Sequence, residues 1–139
     1  MIRVGEKVFV DTGAWLALAL THDPYNERAK KAQAELEAAG ARLVVSVPVV
    51  IETFTFLQRK YAEALALAWR DRLRDVDRLE LIDCTTSDLQ AAWSYLDRKD
   101  LHRLSLVDAT SFTLMTRHRL RAAFTFDTHF AEAGFRCVG

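Results

Sequence analysis

Four acidic side chains interrupt apolar segments of this chain. Asp11 closes the run Val8-Phe9-Val10, and Asp127 closes Phe124-Thr125-Phe126. Glu52 is embedded in Val49-Val50-Ile51-Glu52-Thr53-Phe54, and Asp108 in Leu104-Ser105-Leu106-Val107-Asp108-Ala109. An unpaired carboxylate in such surroundings costs several kcal/mol, so something must compensate each one. Taken singly, each has an ordinary explanation. Asp11 or Asp127 could cap the element that follows it, Glu52 could pair with Arg59 two turns on, and Asp108 could meet a buried arginine. Taken together, two acids at strand ends and two near helix starts converge on one edge of a sheet. Carboxylates at ~4 Å repel by a few kcal/mol at an intermediate dielectric, and a divalent cation removes that repulsion. An oxygen-only set without His or Cys suits Mg²⁺ or Mn²⁺ rather than zinc.

The elements that must position these acids can be read along the chain. Lys7 to Val10 is a short buried strand, and Ala14 to Leu20 is a short helix that is apolar on all sides. Asp23-Pro24 starts a polar helix that Gly40 stops. Arg42 to Ser46 is a second strand, and Pro48 suits the first turn of a helix running to about Lys60. Glu63 to Val76 forms another helix, and Leu79 to Ile82 a third strand. Thr85 and Asp88 match a capping box that opens a helix reaching about Arg98. Leu104 to Arg117 is helical, Ala122 to Phe126 is a fourth strand ending at Asp127, and Phe135 to Val138 is a small terminal strand. Strands apolar on both faces and alternating with helices predict an α/β fold in three layers, with a central parallel sheet of four to five short strands. In such sheets the site lies beyond the carboxyl ends of the strands.

Composition narrows the function classes. The 139 residues suit one domain, 1–139, with no linker, repeat or low-complexity tract. Nineteen basic and nineteen acidic residues cancel, which argues against a general electrostatic coat for nucleic acid but allows a local basic patch. Two distant cysteines, Cys84 and Cys137, exclude a disulfide scaffold and the usual zinc spacings. No apolar stretch of signal-peptide or membrane-spanning length occurs, so a cytoplasmic protein without membrane contact is expected.

Four motifs together carry a family resemblance over essentially the whole chain: Val-Asp-Thr-Gly-Ala-Trp (10–15), Glu52 after the second strand, Leu-Ser-Leu-Val-Asp-Ala-Thr-Ser-Phe (104–112) and Leu-Arg-Ala-Ala-Phe-Thr-Phe-Asp-Thr-His-Phe (120–130). In this order they resemble the PIN-domain family, and the length is that of its VapC-like toxin branch. The resemblance implies a metal-dependent endoribonuclease, the toxin of a toxin–antitoxin pair. It implies Asp11, Glu52, Asp108 and Asp127 as the catalytic and metal-binding quartet, Asp11 and Asp108 being the most direct ligands. Thr12 and Thr125 fall where the family often places a hydroxyl near the metal, and Gly13 stands where a small polar residue is more usual. A carboxylate-bound Mg²⁺ or Mn²⁺ activates water and polarises phosphate, which predicts products with a 5′-phosphate and a 3′-hydroxyl.

The stretch 97–121 is net basic, and Arg98, Arg103 and Arg117 in it are candidate RNA contacts, set against their being a solvated helix face. The histidines, His102 and His129 among them, form no ligand pair and are expected near the site or on the surface. Trp15, Trp69 and Trp93 fall on apolar stripes and are expected in packing. The helices 48–60 and 63–76 carry Phe54, Phe56, Leu57, Tyr61, Leu65 and Trp69. By resemblance an antitoxin binds there, and a homodimer is expected. Trp69→Glu should then abolish partner binding with the fold intact. Two alternatives remain: a PIN-like RNA-binding or interaction module without catalysis, and a phosphatase with Asp11 as nucleophile. The second is weakened because Gly13 stands where a second aspartate belongs.

Overall fold

The structure, a computed structural model, describes residues 2–139. Five parallel strands form one sheet in the order β3-β2-β1-β4-β5. They are β1 (Lys7–Val10), β2 (Arg42–Ser46), β3 (Leu79–Ile82), β4 (Ala122–Phe124) and β5 (Arg136–Val138). Seven helices are described: α1 (Thr12–Ala19), α2 (Asn26–Ala38), α3 (Val47–Lys60), α4 (Glu63–Arg74), α5 (Thr86–Leu96), α6 (Leu106–Arg117) and α7 (His129–Glu132). Val8, Phe9 and Val10 on β1 are all fully buried, so both faces of the central strand are covered and the fold is the expected α/β/α sandwich.

Local chemistry sets the element ends. At the end of α2 the Ala41 amide donates to the Leu36 carbonyl at 3.0 Å, a Schellman closure that Gly40 permits with φ +64°. Ser46 accepts the Val49 amide at 3.3 Å and caps α3, with Pro48 in its first turn. The capping box at α5 forms as read, Thr85 and Asp88 each accepting the other's backbone N–H. Ser105 accepts the Asp108 amide at 3.0 Å and starts α6 two residues later than expected. Helix α6 is buried without a break from Ala109 to Met115 and is the central helix of the core.

Three expectations are corrected. Asp23 does not start a helix; its carboxylate accepts the Tyr25 amide at 2.8 Å in a tight turn, and α2 begins at Asn26. The fourth strand stops at Phe124, because its neighbour β5 gives it only three residues of register, so Asp127 lies in the turn beyond rather than at the strand end. Trp69 is 4% exposed and meets Trp15 edge-on at 6.1 Å between ring centroids. It belongs to the core, as does Leu57, so a charge at Trp69 cannot leave the fold intact. Trp93, by contrast, is exposed.

Candidate active site

The strand order turns back on itself at β1, which lies between β2 and β4. The connections leaving β1 and β4 therefore run in opposite directions and open a crevice at the carboxyl edge, where parallel sheets hold their ligands. A cleft of about 470 Å³ lies there. Asp11, Glu52, Asp108 and Asp127 all line it, with Thr12, Gly13, Asp23, Ser105 and the aromatic rings of Tyr25, Phe56 and Phe126. Five carboxylates face this space, and no Lys or Arg lines it.

Asp11 follows β1 directly, and its amide donates to the Phe124 carbonyl at 3.0 Å, which extends the β1–β4 ladder by one step. It occupies the position before α1 yet makes no side-chain capping bond, so capping does not account for it. Its Oδ2 accepts the Thr125 hydroxyl at 3.1 Å, while Oδ1 is buried with no hydrogen-bond partner. Burial, and then the Asp108 charge, push the Asp11 carboxyl up to about 7, against the pull of the Thr125 hydrogen bond. Thr125 accepts the Asp127 amide at 3.0 Å through the same hydroxyl, so one side chain fixes both acids.

Asp108 sits in the first turn of α6, and burial raises its carboxyl above the ordinary value, with Asp127 and Glu52 pushing the same way. Its ligand atoms, those of Asp127 and those of His129 lie within 4.8 Å of one another. Asp127 does part of what the ordinary reading assigned to it: Oδ1 accepts the His129 amide at 2.9 Å at the start of α7. The same oxygen is 2.8 Å from His129 Nδ1, and His129 Nε2 is 2.5 Å from the His102 carbonyl. Glu52 is half-buried on α3 and forms no ion pair with Arg59 among the described residues. The Thr12 hydroxyl is also buried and unpartnered. A Cβ at Gly13 would lie 3.8 Å from Asp11 Oδ2, an ordinary contact, so glycine is not required there.

The basic candidates separate. Arg117 bridges both Asp88 oxygens with its guanidinium, at 2.8 and 2.9 Å; that carboxylate is 5% exposed, while the Arg117 side chain itself is about half exposed. The pair joins α5 to α6. Arg98 pairs with Asp100 at the surface. Arg103 is exposed, at φ +58°, and has no carboxylate partner among the described residues. Sequence reading expected His129 near the site or on the surface but not as a ligand, and the structure places it beside Asp127 and Asp108. It passed over Asp23 and Tyr25 as cleft residues, which nothing local connects to the other acids.

A parallel α/β sheet with acids from four separate segments gathered at its switch point is the architecture of PIN domains. The PIN domain model matches residues 8–136, and the chain belongs to that family. It is similar to the 23S rRNA-specific endonuclease VapC20 of Mycobacterium tuberculosis, with 37% identity over 130 residues, 92% of this chain and 95% of the relative. The crystal structure of that protein, described as a Sarcin-Ricin loop cleaving toxin, superposes with a TM-score of 0.79 at 32% identity over 92% of this chain and 95% of the other. VapBC2 from Rickettsia felis, bound to a promoter DNA fragment, shares the fold with a TM-score of 0.70 at 15% identity over 94% and 96%.

Proposed function

We propose that this chain is a metal-dependent endoribonuclease, the toxin of a toxin–antitoxin pair, with residues 1–139 working as one catalytic domain. One observation carries the reading: five carboxylates and no cationic side chain line the cleft, so an RNA phosphate is repelled from it until a cation neutralises the acids. The donors fit a hard divalent ion. Asp11 offers a buried oxygen without a hydrogen-bond partner, Asp108 and Asp127 offer carboxylate oxygens grouped with a His129 nitrogen, and Glu52 lines the same cleft. Asp11 and Asp108 would be the most direct ligands of Mg²⁺ or Mn²⁺, with Glu52 and Asp127 completing the set and the Thr12 hydroxyl beside it. When bound, the ion supplies Lewis acidity to phosphate and acidity to water.

The protein's own groups perform the positioning. Thr125 holds Asp11 and Asp127 in one geometry, and His129 orients Asp127 while tying it to the loop at His102. Arg103 is the arginine we retain for backbone contact. The exposed rings of Phe56 and Tyr61 on α3 and its connection to α4 support an antitoxin contact at that pair, and two copies of the chain are expected to associate. No described helix is long and apolar enough to cross a membrane, in keeping with a cytoplasmic site of action.

The test is cleavage of ribosomal RNA by the purified protein with Mn²⁺, Mg²⁺ or EDTA, beside Asp108→Asn. Cleavage that needs the ion, leaves 5′-phosphate ends and falls at least ~100-fold in the variant is expected. Cleavage that persists in EDTA overturns the metal assignment. Mn²⁺ binding without cleavage of any RNA leaves the non-catalytic binding module as the reading.

A further inference from the structure

Two aromatic rings at the rim of the cleft are stacked on each other rather than buried in the core. Tyr25, in the turn before α2, lies on Phe126, in the turn after β4, with ring centroids 4.7 Å apart and planes 11° from parallel. Both line the cleft that holds the four acids, and Tyr25 is 44% exposed. The Tyr25 hydroxyl makes no hydrogen bond among the described residues, so ring contacts position the side chain. The guanidinium of Arg28 sits against the pair, 5.3 Å from the Tyr25 centroid and 5.2 Å from that of Phe126. It donates to the Gly139 backbone oxygen at 3.1 Å and pairs with no Asp or Glu side chain among the described residues.

We propose that the Tyr25–Phe126 stack is a nucleobase platform, on which a base flanking the cut phosphodiester stacks against Tyr25, with Arg28 on the adjoining backbone phosphate. This inference rests on the nuclease reading and specifies how the substrate is held. An acidic cleft alone grips nothing of RNA but a cation-bridged phosphate, and it gives no means of selecting where along the strand to cut. An exposed ring prestacked on a second ring offers a flat, ordered face with little freedom left to lose on binding. Every base has such a face, so the platform suits unpaired nucleotides, splayed out of a helix, in preference to a continuous duplex. A cation held by ring contacts and one backbone oxygen, with no Asp or Glu side chain paired to it, keeps charge available for phosphate. Tyr25 follows α1 and Phe126 follows β4, far apart in the chain, so the platform forms only in the folded chain.

The experiment measures RNA binding and cleavage separately. The probe is a stem-loop oligoribonucleotide of the 23S rRNA sarcin–ricin sequence, with 2-aminopurine replacing one loop base at a time. Binding is read by anisotropy at moderate salt with Ca²⁺ in place of Mn²⁺, so that the acids are neutralised, and stacking by quenching of the 2-aminopurine signal. Tyr25→Ala is expected to weaken binding about 10- to 100-fold and to abolish the quenching at one loop position. Tyr25→Phe restores the ring and is expected to recover both to within about threefold, and Tyr25→Ala is expected to keep the parent's circular dichroism and melting temperature within a few degrees, which an unfolded variant would not. Arg28→Gln should weaken binding less and lower the salt dependence by about one phosphate contact. Tyr25→Ala binding as tightly as the parent chain, with quenching intact, overturns the platform whatever cleavage does. RNA bound by the parent chain but never cut, with affinity lost in Tyr25→Ala, upholds the platform and overturns the nuclease reading alone.

Discussion

A carboxyl group that burial and Asp108 hold near a pKa of 7 binds its proton more tightly in the folded chain than in the unfolded one. Between about pH 4 and 7 the folded state therefore carries the extra proton, and the metal-free protein loses stability as the pH rises through that window. Asp108, raised chiefly by burial, acts in the same direction. The loss from Asp11 has an upper bound of about 4 kcal/mol. Asp88 works the other way: burial raises it, but the Arg117 and Thr85 hydrogen bonds outweigh that and hold it low. Its contribution is present above the ordinary carboxylate range and is lost as the pH falls below it. Melting temperatures in EDTA should accordingly fall between pH 5 and 7.5, and Asp11→Asn should flatten that slope. A second outcome is expected of Thr125→Val, which removes the hydroxyl shared by Asp11 and Asp127. The cleavage rate should drop about 10- to 100-fold with the fold intact, read by single-turnover kinetics beside circular dichroism. The acids themselves were legible in the sequence because a charge inside an apolar run violates burial. The role of His129 was not, because its two contacts, to Asp127 and to the His102 carbonyl, exist only once α7 and the loop before α6 are in place.

Helix α4 shows why an apolar stripe does not by itself distinguish a groove from a core. Leu65, Trp69 and Leu73 share one face, and the periodicity would be the same whether a partner or this chain covered it. In the structure Trp15 on α1 meets Trp69; of the six apolar residues read there, Phe56 and Tyr61 remain exposed, and Ile51 and Leu67 on the same helix pair are exposed as well. Trp69→Glu is therefore expected to cost more than about 4 kcal/mol and to prevent folding, checked by circular dichroism and thermal melting. The α5–α6 pair makes a complementary case. Arg117 faces Asp88 across 29 residues of chain, a pairing no local pattern reveals. Arg117→Ala leaves the buried Asp88 carboxylate with only Thr85 as partner and should destabilise by about 2 kcal/mol, read by urea unfolding, with RNA affinity unchanged. Most strand positions, the parallel sheet and the ends of α2, α3 and α5 marked by Gly40, Pro48 and Thr85 were legible because hydrophobic runs and these residues act locally. The start of α2 and the end of β4 were not, since a turn at Asp23 and the short reach of β5 decide them.

The whole molecule is electrically neutral, yet its cleft is acidic, and a net charge says nothing of that separation. Ion binding should thus be visible as stability of the entire domain. Millimolar Mn²⁺ at pH 7.5 is expected to raise the melting temperature by several degrees, the shift shrinking toward pH 5 as protons compete for the same oxygens. Asp108→Asn should remove most of it. The order of the strands carries one last consequence. Strand β1 is made first, but one of its two neighbours, β4, is nearly the last, and Asp127 and Phe126 follow it. A chain still being synthesised can assemble β1, β2 and β3 and present Asp11 and Glu52, but it lacks the side of the cleft that Thr125, Phe126 and Asp127 form. A polypeptide truncated after α6 is expected to be inert, since the proposed site is complete only once β4 and the turn after it have been made.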